Sequence, residues 1–155
     1  MEAATMQALT QAGAFSAIGF AAVGSALGTG AAGASAVGAW KKCYANGKPA
    51  PFQLAVFAGA PLSQTIYGMI LMFLISAKAT PETAAFWPAF LIMGIVSGLG
   101  MGFSAWMQGK AAAGACDAFA ETGDGFTNYL MALGIIETVA IFVMAFAIVL
   151  LTKVG

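Results

Sequence analysis

Apolar residues run along this chain in four stretches of twenty or more positions, the length that carries a helix across a hydrocarbon core of about 30 Å. The stretches cover 12–40, 52–77, 86 to about 116, and 126–151. The intervening segments are polar and rich in turn formers. Residues 41–51 hold Lys41, Lys42, Lys48 and two prolines, 78–82 holds Pro81, and Glu121-Thr122-Gly123-Asp124-Gly125 carries the glycines of a tight turn. Short connections make consecutive helices antiparallel neighbours. The pattern therefore predicts an all-α membrane protein, a single domain over 1–155, with helical hairpins at 12–77 and 86–151. The N-terminus lacks a basic region and carries Glu2, and the first apolar stretch is too long for a signal core. It is expected to be a retained first helix.

Composition agrees with that class. Apolar residues make up 61% of the chain and charged residues 8%, too few to cover a soluble surface. The formal net charge of zero leaves no basic field for a phosphate backbone, so nucleic acid is not an expected partner. There is no His, and the two cysteines, Cys43 and Cys116, lie far apart, which leaves too few soft ligands for zinc, iron or haem. Both cysteines are expected as reduced thiols. The first and third loops hold Lys41, Lys42, Lys48 and Lys110, against Lys78 and Lys153 on the other side. Positive loops stay in the cytoplasm, which puts both termini outside.

The first and third stretches are unusually rich in glycine. In lipid, spacings such as Gly24-xxx-Gly28 and Gly98-xxx-Gly102 let helix backbones approach closely. Small residues occupy nearly every face of the first helix, more than one neighbour can use, which predicts the inner wall of a multi-copy ring. The second and fourth stretches are bulky, with Ile66, Met69, Ile70, Leu71, Met72, Phe73 and Leu74 in one and Ile141, Phe142, Val143, Met144, Phe146, Ile148 and Leu150 in the other. These are expected to face lipid. The segment 25–32 resembles 104–111, as a duplicated hairpin would.

Glu137 is the one ionisable side chain deep within a stretch. An acid at a helix centre costs roughly 2.5 to 3.5 kcal/mol on insertion and marks ion pathways or proton relays; otherwise it serves as protonated glue between helices. Counted from the turn near Thr122, Gln108 lies 14 residues back and Glu137 15 forward. From the turn near Gly47, Ser63 and Gln64 lie 16 and 17 forward and Thr29 lies 18 back. All five polar groups thus fall within about 6 Å of one depth. Tyr67 shares the helix face of Ser63 and Gln64 and places its hydroxyl toward a carboxylate. Pro61 removes an amide donor and blocks the bond to the Phe57 carbonyl, tilting a carbonyl near Ala60 outward, or it simply kinks the helix around its neighbours.

Pro61-Leu62-Ser63-Gln64-Thr65-Ile66-Tyr67-Gly68, Gln108-Gly109-Lys110-Ala111-Ala112-Ala113-Gly114 and Ile136-Glu137-Thr138 resemble the rotor-ring proteolipid of V/A-type ATPases, the K or c subunit. The order of motifs is the same across all four helices. The resemblance implies a homo-oligomeric rotor ring of identical copies in a prokaryotic inner membrane, with a stator membrane subunit and a central-stalk subunit as partners and membrane lipid around it. It implies that Glu137 is the ion-carrying carboxylate and that Ser63, Gln64, Gln108 and the Ala60 backbone carbonyl are ligands of the sodium-binding type. Tyr67 corresponds to the tyrosine that holds the carboxylate. The family's first side-chain ligand is commonly Thr, and Ser63 retains the hydroxyl.

One carboxylate, two amide oxygens, one hydroxyl and one carbonyl make an oxygen cage for Na⁺, whereas a proton carrier needs only the carboxyl group. Na⁺ is the favoured cargo and H⁺ the alternative. No Arg occurs, no Lys sits at a helix centre, and no phosphate-binding Gly-x-x-x-x-Gly-Lys motif is present. The displacing cation and the ATP chemistry are thus expected from other subunits, and the chain is expected to be non-catalytic. A small four-helix proton-coupled transporter would need a roomy cavity, and a purely structural oligomer would not need the polar set.

Overall fold

A computed structural model describes residues 1–154. Among them the regular structure is helical throughout: α1 (Ala3–Ala45), α2 (Gln53–Gly59), a 3₁₀ turn (Ala60–Leu62), α3 (Ser63–Ser76), a second 3₁₀ turn (Ala84–Phe86), α4 (Trp87–Thr122) and α5 (Phe126–Leu151). Four spans, Ala3–Ala45, Gln53–Ser76, Ala84–Thr122 and Phe126–Leu151, are long and apolar enough to cross a membrane. The first and third are longer than hydropathy predicts. Thr5, Gln7, Thr10 and Gln11 end an apolar run but not a helix, so α1 begins nine residues earlier and its 43 residues extend about 65 Å. The third-loop turn forms as its glycines require, with Gly123 and Gly125 at φ 73° and 86°.

α1 lies against α4, and the two run parallel. The buried positions of α1 include Gly13, Ala17, Ala21, Gly24, Gly28, Ala32, Ala36 and Ala39, a stripe stepping by three and four along one face. Opposite it, Gly94, Gly98, Gly102 and Gly109 bring the α4 backbone into direct contact. A Cβ on Gly24 would stand 1.9 Å from the Gly102 carbonyl oxygen, and one on Gly109 2.2 Å from Gly28 Cα. The four glycines expected at the packing seam, Gly24, Gly28, Gly98 and Gly102, all lie in this contact. Within one chain α1 uses only that face. Gly30, Gly33 and Gly38 have open space beside them.

α3 packs antiparallel on α1, with Gly68 against Ala17 and Ala21, and α5 closes over α3 and α4. Ile66, Met69, Ile70, Phe73 and Leu74 are exposed on α3, as are Ile141, Phe142, Phe146 and Leu150 on α5. Leu71 departs from the expected outward face: it is fully buried, because the Gly68, Leu71, Ile75 stripe turns inward onto α1 and α5. Two apolar clusters result. One gathers Ala14, Ala21, Leu71, Ile75, Met101 and Ala140, and the other Ala32, Leu54, Phe57, Ala112, Phe119 and Leu133. The polar side chains of the second, fourth and fifth helical segments occupy the layer between them. Lys42 and Glu121 form an ion pair that ties the first loop to the third.

Gly24→Ala is expected to force the α1 and α4 backbones apart and cost about 1–3 kcal/mol as overpacking, read as lower thermal stability of the purified protein. Gly114→Ala, where nothing stands within 4 Å, is expected to be neutral or mildly stabilising through helix propensity. Equal stability of the two variants would contradict the seam.

Candidate ion-binding site

Three spans contribute to one polar layer. The second supplies it at the only point where its α-helix is interrupted. Pro61 has no N–H, so the Phe57 carbonyl is taken by the N–H of Ala60, and Ala60–Leu62 tightens into the 3₁₀ turn. The Ala60 carbonyl, expected to tilt free, is instead engaged by Ser63, whose backbone N–H bonds it and whose Oγ lies 3.1 Å away. Downstream of the turn, Gln64 points into the protein and is fully buried, while Ser63 and Tyr67 are half-buried at its edge.

From there the groups form a continuous hydrogen-bonded chain. Ser63 Oγ is 3.2 Å from Gln64 Oε1, so its single hydrogen serves either that oxygen or the Ala60 carbonyl. Gln64 Nε2 donates across to Gln108 Oε1 of α4 at 2.8 Å. The Gln108 amide then donates to the Leu133 carbonyl and to Glu137 Oε2, both at 3.1 Å. The Tyr67 hydroxyl donates to Glu137 Oε1 at 2.5 Å. Each carboxylate oxygen of Glu137 therefore receives one neutral donor, and Gln108 is fully enclosed. Neutral donors leave the carboxylate charge for a mobile cation to balance.

Depth counting brought together Ser63, Gln64, Tyr67, Gln108 and Glu137, and the Ala60 carbonyl adjoins them. Thr29 does not join. Its hydroxyl donates back to the Ser25 carbonyl of its own helix at 2.8 Å, because equal depth fixes height but not the direction a side chain faces. Sequence reasoning missed Ser104, which donates to the Ile136 carbonyl at 2.9 Å and so ties α4 to the residue before Glu137. Ser104 lies one turn before Gln108 on the same face, and that spacing was the available signal.

The set can do two things chemically. It can hold a carboxylate in a fixed rotamer by two hydrogen bonds, and it can turn up to six oxygens on a small hard cation: two from Glu137, one each from Gln64, Gln108, Ser63 and Ala60. Among the described residues no cluster of three or more His, Cys, Asp or Glu exists. Tyr67→Phe is expected to release Glu137 Oε1 and speed its reaction with a hydrophobic carbodiimide several-fold, followed by mass spectrometry of the labelled protein. An unchanged rate would mean that the phenol does not hold the carboxylate.

Comparison with known proteins places part of this geometry. Residues 91–150 match the family model for the ATP synthase C subunit, a stretch that takes in most of α4 and nearly all of α5, and with them Gln108 and Glu137. It ends short of the Ser63, Gln64 and Tyr67 side of the site. No curated protein matches the chain. The four-span chain is a multi-pass membrane protein, and its second hairpin is a stretch of the ATP synthase C-subunit family, whose members are non-catalytic parts of a membrane rotor.

Proposed function

We propose that this chain is the ion-carrying subunit of a V/A-type rotor ring, that identical copies close the ring, and that its cargo is Na⁺ bound at Glu137. The observation that carries the reading is the convergence of Ser63, Gln64, Tyr67 and Gln108 on the single membrane-embedded carboxylate. A proton carrier would need none of the amide oxygens. Two buried carboxamides facing each other beside an acid provide what a dehydrated hard cation requires.

The architecture supports a ring with α1 and α4 on the inside. Open glycines on α1 leave a face on which a neighbouring copy packs closely, and the bulky exposed residues of α3 and α5 suit the lipid-facing outside. In this arrangement the first and third loops face the cytoplasm, where Lys41, Lys42 and Lys48 meet the central stalk, and both termini lie outside.

Transport then follows from charge. With Na⁺ bound, Glu137 is neutralised and crosses the lipid-facing arc of the rotation. At the stator a positive side chain of that partner displaces the ion and pairs with the bare carboxylate until the next ion enters. Tyr67 and Gln108 keep both carboxylate oxygens in place between these events. Only the second hairpin carries an acid; in the first, Leu62 stands at the corresponding position and is exposed. One ion per four helices lets each ATP work against a steeper ion gradient, which suits pumping.

Carbodiimide is expected to label Glu137 in the assembled complex, and Na⁺ at neutral and alkaline pH is expected to protect it. Labelling at Glu137 that is indifferent to Na⁺ would make the proton the cargo, and absence of labelling there would remove the rotor reading. The Na⁺ moved per ATP is expected to fall below that of rings built from two-helix protomers. An equal ratio would contradict the single-acid protomer.

A further inference from the structure

Ser25 is the one buried side chain, among the described residues, whose oxygen has no hydrogen-bond partner. It is 3% exposed, on α1. A buried hydroxyl left unpaired costs stability, so such a group in a membrane helix calls for a use. Its counterpart in the duplicated segment, Ser104, has one: it bonds the backbone of α5 immediately before Glu137.

The position of Ser25 is fixed by contacts on either side. A Cβ on Gly68 would meet Ala21 Cβ at 2.8 Å, and one on Gly28 would meet Pro61 Cβ at 2.9 Å. Between these two contacts, Ala21, Ser25 and Gly28 step along one face of α1 while Gly68, Gln64 and Pro61 step the opposite way along the second span. Ser25 therefore stands at the level of Gln64, on the side away from Gln108 and Glu137.

The hydrogen-bonded chain through the site uses the Gln64 N–H to occupy the Gln108 oxygen. A cation drawing on both amide oxygens cannot coexist with that arrangement, because the amide hydrogen carries positive charge and points at the oxygen the cation needs. The N–H must then turn away, and in an enclosed layer it needs another acceptor. A hydroxyl both donates and accepts. Resting on the Na⁺ reading above, we propose that Ser25 is a positioning residue of the ion site: its oxygen accepts the Gln64 N–H in the loaded state and holds the Gln64 carbonyl oxygen on the ion.

The test uses the assembled complex and the Na⁺ concentration that half-protects Glu137 from carbodiimide. Ser25→Ala removes one atom from a buried position and leaves the fold in place. It is expected to raise that concentration about tenfold, the order of one hydrogen bond. The labelling rate without Na⁺ is expected to stay at the wild-type value, which a general loosening of the helices would change. In a Gln64→Leu background, Ser25→Ala is expected to add nothing further, since the two act through one contact. Wild-type protection in Ser25→Ala, or an additive effect in the double variant, overturns the proposal while leaving the Na⁺ reading intact. Labelling that ignores Na⁺ in the unsubstituted protein overturns both.

Discussion

A carboxylate between two apolar layers governs this structure, because polar groups in that layer have only one another for partners. Water is excluded, so each donor and acceptor must be matched within the protein or cost several kcal/mol. The matching is nearly complete from Ser63 through Gln64 and Gln108 to Glu137, with Tyr67 on the remaining oxygen. An apolar cluster lies on each side along the membrane normal, one around Leu71 and Met101 and the other around Phe57 and Phe119. Such a layer is costly to build unless it is used, and a set of oxygens poised around a single negative charge is suited to a cation that comes and goes.

Glycine makes the layer geometrically possible. Gln64 and Gln108 meet at 2.8 Å because their helices are both drawn against α1, which has almost no side-chain thickness where it touches them. Gly28 sits at the junction, against Ala105 of α4 on one side and Pro61 on the other. A larger residue there would separate the two carboxamides as well as the helices. The proline acts in the same place by a different route. It closes a 3₁₀ turn one residue before Ser63 and so rotates the following turn toward α4. Packing and chemistry thus share the same few residues.

Much of this was legible in the chain. Four spans follow from apolar length, and the shared depth of Ser63, Gln64, Gln108 and Glu137 follows from counting at a constant rise per residue. Counting gives height alone, however, and Thr29 shows its limit: level with the others, it faces its own backbone. Leu71 shows the same limit for burial, since composition marks the helix as bulky but only packing decides which stripe turns inward. The polar first turns of α1 were missed because hydropathy reports the membrane and not the helix. Ser104 and Ser25 were within reach of the repeat that relates 25–32 to 104–111, but their hydroxyls carried no weight until their partners, or the lack of one, became visible.

Glu137 is loaded and unloaded by a small cation, on this account, and does not merely bind helices together. Equilibrium binding of radioactive sodium to the purified assembly tests that claim most directly, by counting bound ions per chain in the unsubstituted protein and in Glu137→Gln. One saturable Na⁺ per chain is predicted, released by acid, and none in the variant although the variant assembles normally. Binding that survives the substitution, or no saturable binding to an intact assembly at alkaline pH, would contradict it.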